Sequence, residues 1–126
     1  TYATKDYTSK TEIECVAIDD IIPDKKVDFI KIDIQGYEYF AFQGMTEVLK
    51  ANENLKIVAE LYPYGLNNSG IKVEEFVSFL RSSDLYIYKM HDNNLKILTD
   101  DDVVKLNSEN YRIHIVDILL SKKRIV

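Results

Sequence analysis

One cysteine, Cys15, stands alone in this chain, so no intrachain disulfide and no all-cysteine metal site can form. Its expected place is a buried, inert position in a protein of a reducing compartment. Long apolar runs are lacking as well. Nothing approaches the length needed to span a bilayer, and Thr1 to Lys10 is too polar for a signal peptide. A cytoplasmic protein without membrane contact is expected. An initiator Met is also missing, which points to a processed or trimmed piece of something longer. Positive charge is in deficit: 16 Lys and Arg against 21 Asp and Glu leave a net charge of -5, which argues against a general nucleic-acid binder. The one basic cluster, Lys122-Lys123-Arg124, reads as a solvated tail. There are no internal repeats, no Gly-x-Ser-x-Gly, and no Cys/His pair at a recognisable spacing, so no hydrolase signature is present.

What is present suits a single domain over 1–126. With 46% hydrophobic residues in 126 positions there is material for one sizeable core and not for two. A short strand is expected at Glu12 to Val16, then a helical turn ending before Pro23, then a strand from Val27 to Ile34. Apolar residues at helical spacing predict a helix from Tyr37 to Ala51, with Gly44 as an interior weak point. A strand over 55–63 closes at Pro63, and 64–70 reads as a flexible loop. Val73, Phe76, Val77 and Leu80 form one stripe of a helix over 73–83. A hairpin over 85–98 turns at Asn93-Asn94, Thr99 N-caps a short acidic-start helix, and 111–121 forms a long last strand. The order predicts an α/β domain: helices packed on a mostly parallel sheet, with antiparallel character in the carboxyl-terminal part.

The stretch "VDFIKIDIQGYEYF", 27 to 40, does not read as an ordinary buried strand. Alternation puts Ile30, Ile32 and Ile34 on one face, and Val27, Phe29, Lys31, Asp33 and Gln35 on the other. That second face turns charged toward the carboxyl end of the strand, where open α/β sheets place their ligand crevice.

Together, "IECVAIDDII", "VDFIKIDIQGYEYFAFQGMTEVL" and "LKIVAELYP" resemble the carboxyl half of FkbM-type methyltransferases. Asp19-Asp20 match that family's acidic turn, while Asp28, Lys31, Asp33, Gly36, Glu38 and Gly44 match its central motif. Glu60 matches the acidic end of the following strand. The similarity covers about residues 12 to 63. It implies a partial Rossmann-like fold, S-adenosylmethionine as cofactor, and methyl transfer, usually to an oxygen of a small-molecule or sugar acceptor. Two departures stand out. Gln35 replaces the family's usual Glu, and the sequence has no Gly-x-Gly, whereas the cofactor turn needs glycine so that backbone can approach the ligand. The chain thus resembles half an enzyme, inactive by itself.

On that resemblance the catalytic candidates are Asp33, Glu60 and Lys31. Asp33 would orient or deprotonate the acceptor, or else N-cap the helix near Tyr37. Glu60 ends the neighbouring strand, where its carboxylate would converge with that of Asp33. An acceptor-binding pair of acids is the expectation, and no metal. Lys31 would neutralise these acids, the alternative being a snorkelling edge lysine. Gln35, Glu38 and Tyr62 are candidate substrate contacts. Glu38 fits equally as a surface acid favoured by the helix dipole, and Tyr62 and Tyr64 fit equally as rim packing. His91, in the hairpin turn, and His114, in the last strand, are expected to be structural. The rival reading is a non-catalytic assembly module. The strand at 27–34 would then present an unpaired edge to a second copy or to a partner supplying the missing amino half.

Overall fold

The structure, a computed structural model, describes residues 9–111 and 113–126. The first eight residues of the expected polar entry, and Arg112 within the expected final strand, lie outside it. Five strands form one sheet in the order β1-β2-β5-β3-β4, with β1 at Phe29–Lys31, β2 at Lys56–Leu61, β3 at Tyr86–His91, β4 at Asn94–Ile97 and β5 at Val116–Ser121. Only β1 and β2 run parallel; β2–β5, β5–β3 and β3–β4 are antiparallel. The expected mostly parallel sheet is therefore corrected to a mixed one. The last strand inserts between β2 and β3 and reverses both of its pairings, a topology that local periodicity does not encode.

The helices are α1 Ile18–Ile21, α2 Glu38–Gln43, α3 Thr46–Ala51, α4 Pro63–Asn68, α5 Val73–Ser82 and α6 Asp100–Leu106. A 3-10 turn spans Glu109–Tyr111. Several expectations change. No strand forms at Glu12 to Val16; the segment is irregular and exposed, and so is Cys15, which was expected to be buried. The strand expected over 27–34 narrows to three residues, because the chain turns at Gln35, whose φ is 54°. The expected helix 37–51 breaks at Gly44–Met45 into α2 and α3. The break is held from outside: the Asp19 carboxylate accepts the backbone N–H groups of Glu47 and Val48, each at 2.9 Å, and so caps α3.

The loop expected at 64–70 is mostly α4, started by Pro63 in its first turn. The hairpin forms, but its left-handed residues are Asp92 and Asn93, one position earlier than expected. The last strand begins only at Val116, so His114 precedes it, and His91 ends β3. Val73, Phe76, Val77 and Leu80 are buried as the stripe on α5 required.

One face of the sheet carries the core. Ile57, Ala59, Leu61, Ile87, Ile118 and Leu120 point into it and meet Phe42, Leu66, Phe76 and Leu80 from the helices. The opposite face is less covered. Phe29 is 58% exposed, and Val58 and Glu60 are partly exposed. The carboxyl-terminal segment folds back over part of it: Ile125 donates its N–H to the hydroxyl of the fully buried Tyr88 (2.9 Å), and Lys123 donates to the Asn54 side chain (2.6 Å). The basic cluster is therefore partly docked and not a free tail.

Thr99 caps α6 as expected, within a full capping box. Its hydroxyl accepts the Asp102 N–H, and the Asp102 carboxylate accepts the Thr99 N–H. Lys89 also reaches Asp102 at 2.6 Å, in a pair of which 29% and 19% of the respective side chains is exposed. Burial pushes the Asp102 carboxyl up, but the hydrogen bonds from Lys89 and Thr99 outweigh it and hold it below its ordinary value of 3.8. Asp102→Ala is expected to cost about 1–3 kcal/mol at neutral pH. A group with a lowered native pKa stabilises above its unfolded value and loses that contribution as pH falls through the native one. Urea curves of variant and wild type should therefore converge below pH 3.8; a difference that persists there would assign the loss to packing.

Candidate functional site

The site is built at the carboxyl ends of β1 and β2. Parallel pairing in the register Phe29↔Lys56 to Lys31↔Val58 brings the residues that follow β1 alongside the end of β2. Asp33 leaves β1, Glu60 sits next to last on β2, and Gln35 bridges them. The Gln35 side-chain amide donates to the Asp33 carboxylate at 2.8 Å and to the Glu60 carboxylate at 3.2 Å. Two carboxylates thus meet at one NH2 group, whose two hydrogens serve one acceptor each. A Glu at position 35 would offer no donor and would add a third negative charge. The Gln35 amide is what joins the two acids.

The turn that aims Gln35 is held from below. Gln35 is in the left-handed region and Gly36 follows at φ 107°. The Glu38 carboxylate is fully buried and accepts the backbone N–H groups of Gly36 at 2.7 Å and Ile34 at 3.2 Å. Ser69 Oγ lies 2.8 Å from the carbonyl of Gly36 and 2.8 Å from that of Leu66, tying the turn to α4. Gly36 itself rests on Gly65: a Cβ there would lie 2.3 Å from the Gly65 carbonyl carbon. Glu38 is accordingly neither a surface acid nor exposed to the cleft; it is the anchor of the turn. Helix α2 takes Tyr37 as its N-cap without a side-chain bond, so the capping role considered for Asp33 does not exist.

Lys31 is an exposed edge-strand lysine. Its ammonium is 4.0 Å from Asp33, with 68% of its side chain and 44% of that of Asp33 exposed. A pair so wet contributes little to stability. Tyr62 directly follows β2 as the N-cap of α4, partly exposed and with its ring centroid 6.0 Å from that of Tyr64.

Sequence reasoning missed Asp117. It lies directly opposite Glu60 in the β2–β5 ladder, on the same sheet face. Nothing local marks it, since the pairing of 60 with 117 depends on β5 inserting beside β2. The effect is electrostatic. Partial burial, then Asp33, Asp117 and Glu38 push the Glu60 carboxyl above its ordinary value of 4.5, with Lys31 acting weakly the other way. A carboxylate made reluctant to ionise, with an open face before it, takes up a proton more readily than an ordinary one.

Among the described residues, no group of three or more His, Cys, Asp or Glu is placed to hold a metal ion. No described helix is long and apolar enough to cross a membrane. Gly70 has no atom within 4 Å of a would-be Cβ, whereas the other glycines are packed. Gly36 and Gly65 are packed on each other and Gly44 packs on Ala17, 3.4 Å from a would-be Cβ.

No curated protein and no solved structure matches the chain. The family model described as the methyltransferase FkbM domain matches residues 1–88, a span that contains β1, β2 and the Asp33–Gln35–Glu60 junction. The chain belongs to the FkbM methyltransferase family.

Proposed function

We propose that this chain supplies the acceptor side of an S-adenosylmethionine-dependent O-methyltransferase, with Glu60 as the base and Asp33 as the orienting acid. The observation that carries the reading is the single Gln35 amide joining both carboxylates at the ends of adjacent parallel strands. An acceptor hydroxyl placed at this junction donates its hydrogen to Glu60, whose raised proton affinity makes it a better base than an ordinary carboxylate. Asp33 fixes the oxygen's direction, and Lys31 moderates the field of the acids. No step is assigned to residues around the cofactor. Among the described residues no strand pairs with the outer edge of β1, and a further parallel strand carrying a glycine-rich turn would add there. The same free edge, with Phe29 exposed, supports the second reading, an assembly module that pairs with a second copy. Concentration-independent monomers in sedimentation equilibrium would dismiss that alternative.

Transfer of labelled methyl groups from S-adenosylmethionine to hydroxylated acceptors by the intact protein tests the first reading. Glu60→Gln is expected to lower kcat by about 10²–10⁴-fold and to remove an acid limb lying above pH 4.5. Stability should move the other way. A carboxyl whose native pKa is raised stabilises the fold below its unfolded value and loses that contribution as pH rises through the native one. Glu60→Gln should therefore be at least as stable as wild type at neutral pH. An active Glu60→Gln enzyme, or one inactive only because it unfolds, would defeat the assignment.

A further inference from the structure

Residues paired across a ladder point to the same face of the sheet, so the registers give the outer face row by row. Its middle row is Lys31, Val58, Leu119, Tyr88 and Ile97, one residue from each strand. Val58 and Leu119 are half-buried and Ile97 is 46% exposed, so an apolar band of this face stays open to water. Two residues toward the carboxyl end of β2 the face is acidic. Glu60 and Asp117 are direct neighbours there, and Gln35 joins Asp33 to Glu60. Two residues the other way it is basic: Lys56 lies in that row, and Lys123 is held nearby on Asn54.

Like charges facing each other across a ladder destabilise it unless answered. Among the described residues no salt bridge reaches Glu60, Asp117, Lys56 or Lys123. An apolar band between ends of opposite charge is complementary to a copy of itself in one orientation only. A two-fold axis between two such faces runs either along the strands or across them. Along the strands, it sets acid over acid. Across them, it reverses the strands and sets the acidic end of each copy over the basic end of the other.

We infer that the outer face is a self-association surface, on which a second copy of this chain seats face to face with its strands reversed. Glu60 then meets Lys56 of the second copy, and Lys56 meets its Glu60, on either side of a shared Val58–Leu119 contact. Lys31 meets its own counterpart, but at the rim, where 68% of its side chain is exposed and Asp33 lies beside it. The rotation of about 30° between stacked sheets moves the two lysines apart. Lys56 and Glu60 are about 13 Å apart along β2, and five strands span about 20 Å. So small a face gives a weak, reversible dimer. Association also covers the carboxylate junction, so a second copy and an acceptor compete for it.

Sedimentation equilibrium of the full chain, from micromolar to millimolar concentration at low salt, tests this. A monomer–dimer equilibrium is expected, weakened about tenfold or more by molar salt because its selective contacts are between surface charges. Lys56→Glu and Glu60→Lys should each stay folded and each lose self-association. Mixed in equal amounts they should associate again, because every altered charge then meets its opposite. Should Glu60→Lys unfold, the salt dependence and Lys56→Glu decide alone. Monomers at every concentration would overturn the inference. So would variants that do not recover on mixing, or dimers that neither salt nor Lys56→Glu weakens, the behaviour of edge pairing through β1. Methyl transfer enters none of these readouts, so the surface and the roles of Glu60 and Asp33 in transfer stand or fall separately.

Discussion

Glu38→Ala is expected to lose about 3–5 kcal/mol of stability, the largest effect of any single change at the site. Its carboxylate is fully buried and accepts two backbone N–H groups, from Ile34 and Gly36. Truncation removes both bonds at once and leaves two donors without a partner, at about 1–3 kcal/mol each, besides the space vacated. Glu38→Gln is isosteric and still costly, since its amide keeps one acceptor and turns a donor toward the second N–H. Hydrogen exchange at the Gly36 amide gives a local readout beside urea denaturation. Protection there should collapse in Glu38→Ala even under conditions where α5 stays protected. A variant as stable as wild type, with Gly36 still protected, would show that the turn is held by other contacts.

Gly36→Ala should cost about 3 kcal/mol or more. Two penalties coincide at this residue. Its φ of 107° lies outside the regions that side-chain-bearing residues favour, and the new methyl would sit 2.3 Å from the carbonyl carbon of Gly65 and 2.4 Å from its oxygen. Those are backbone atoms and cannot rotate aside, so either the turn or α4 must move. Movement of the turn carries Gln35 away from Glu60, and methyl transfer should fall with stability. Gly70→Ala is the control. Its φ of 86° is also positive but nothing lies within 4 Å of the added carbon, so only the backbone strain of about 1–2 kcal/mol applies. If the urea midpoints of the two variants coincide, the Gly36–Gly65 contact does not constrain the site.

Both effects concern residues beneath the carboxylate junction, since Glu38 is fully buried and Gly36 packs on Gly65. The groups of the carboxylate junction, Asp33, Gln35 and Glu60, lie on partly or fully exposed surface and are cheap to change. Their aim depends on a buried layer beneath: Glu38, Gly36, Gly65 and Ser69. Activity and stability are thus divided between two layers. Substitutions in the upper layer should separate the two properties, and substitutions in the lower one should lose both together.

Local chemistry was enough to show several features in the sequence itself. The apolar stripe of α5, the Thr99 cap of α6 and the strand that carries Glu60 depend on residues within one or two turns of each other, and each appears where the pattern placed it. The stretches from Ile13 to Pro63 that carry the resemblance also sufficed to identify the family. Contacts between distant residues could not be read in this way. Asp19 capping α3 splits a helix that periodicity runs through, and it acts across 28 or 29 positions. Glu38 read equally as a cleft contact and as a first-turn surface acid, and the fold makes it neither. Asp117 became part of the site only because β5 enters the sheet between β2 and β3, which also makes the sheet mixed where a mostly parallel one was expected. The physical reason is common to all three. Periodicity and capping report which residues want burial or a helix end, whereas charge–charge and charge–backbone contacts depend on distances in space that only the packed sheet sets. Sequence alone determined the family; the tertiary structure decided what joins Asp33 to Glu60 and which acids raise the proton affinity of Glu60.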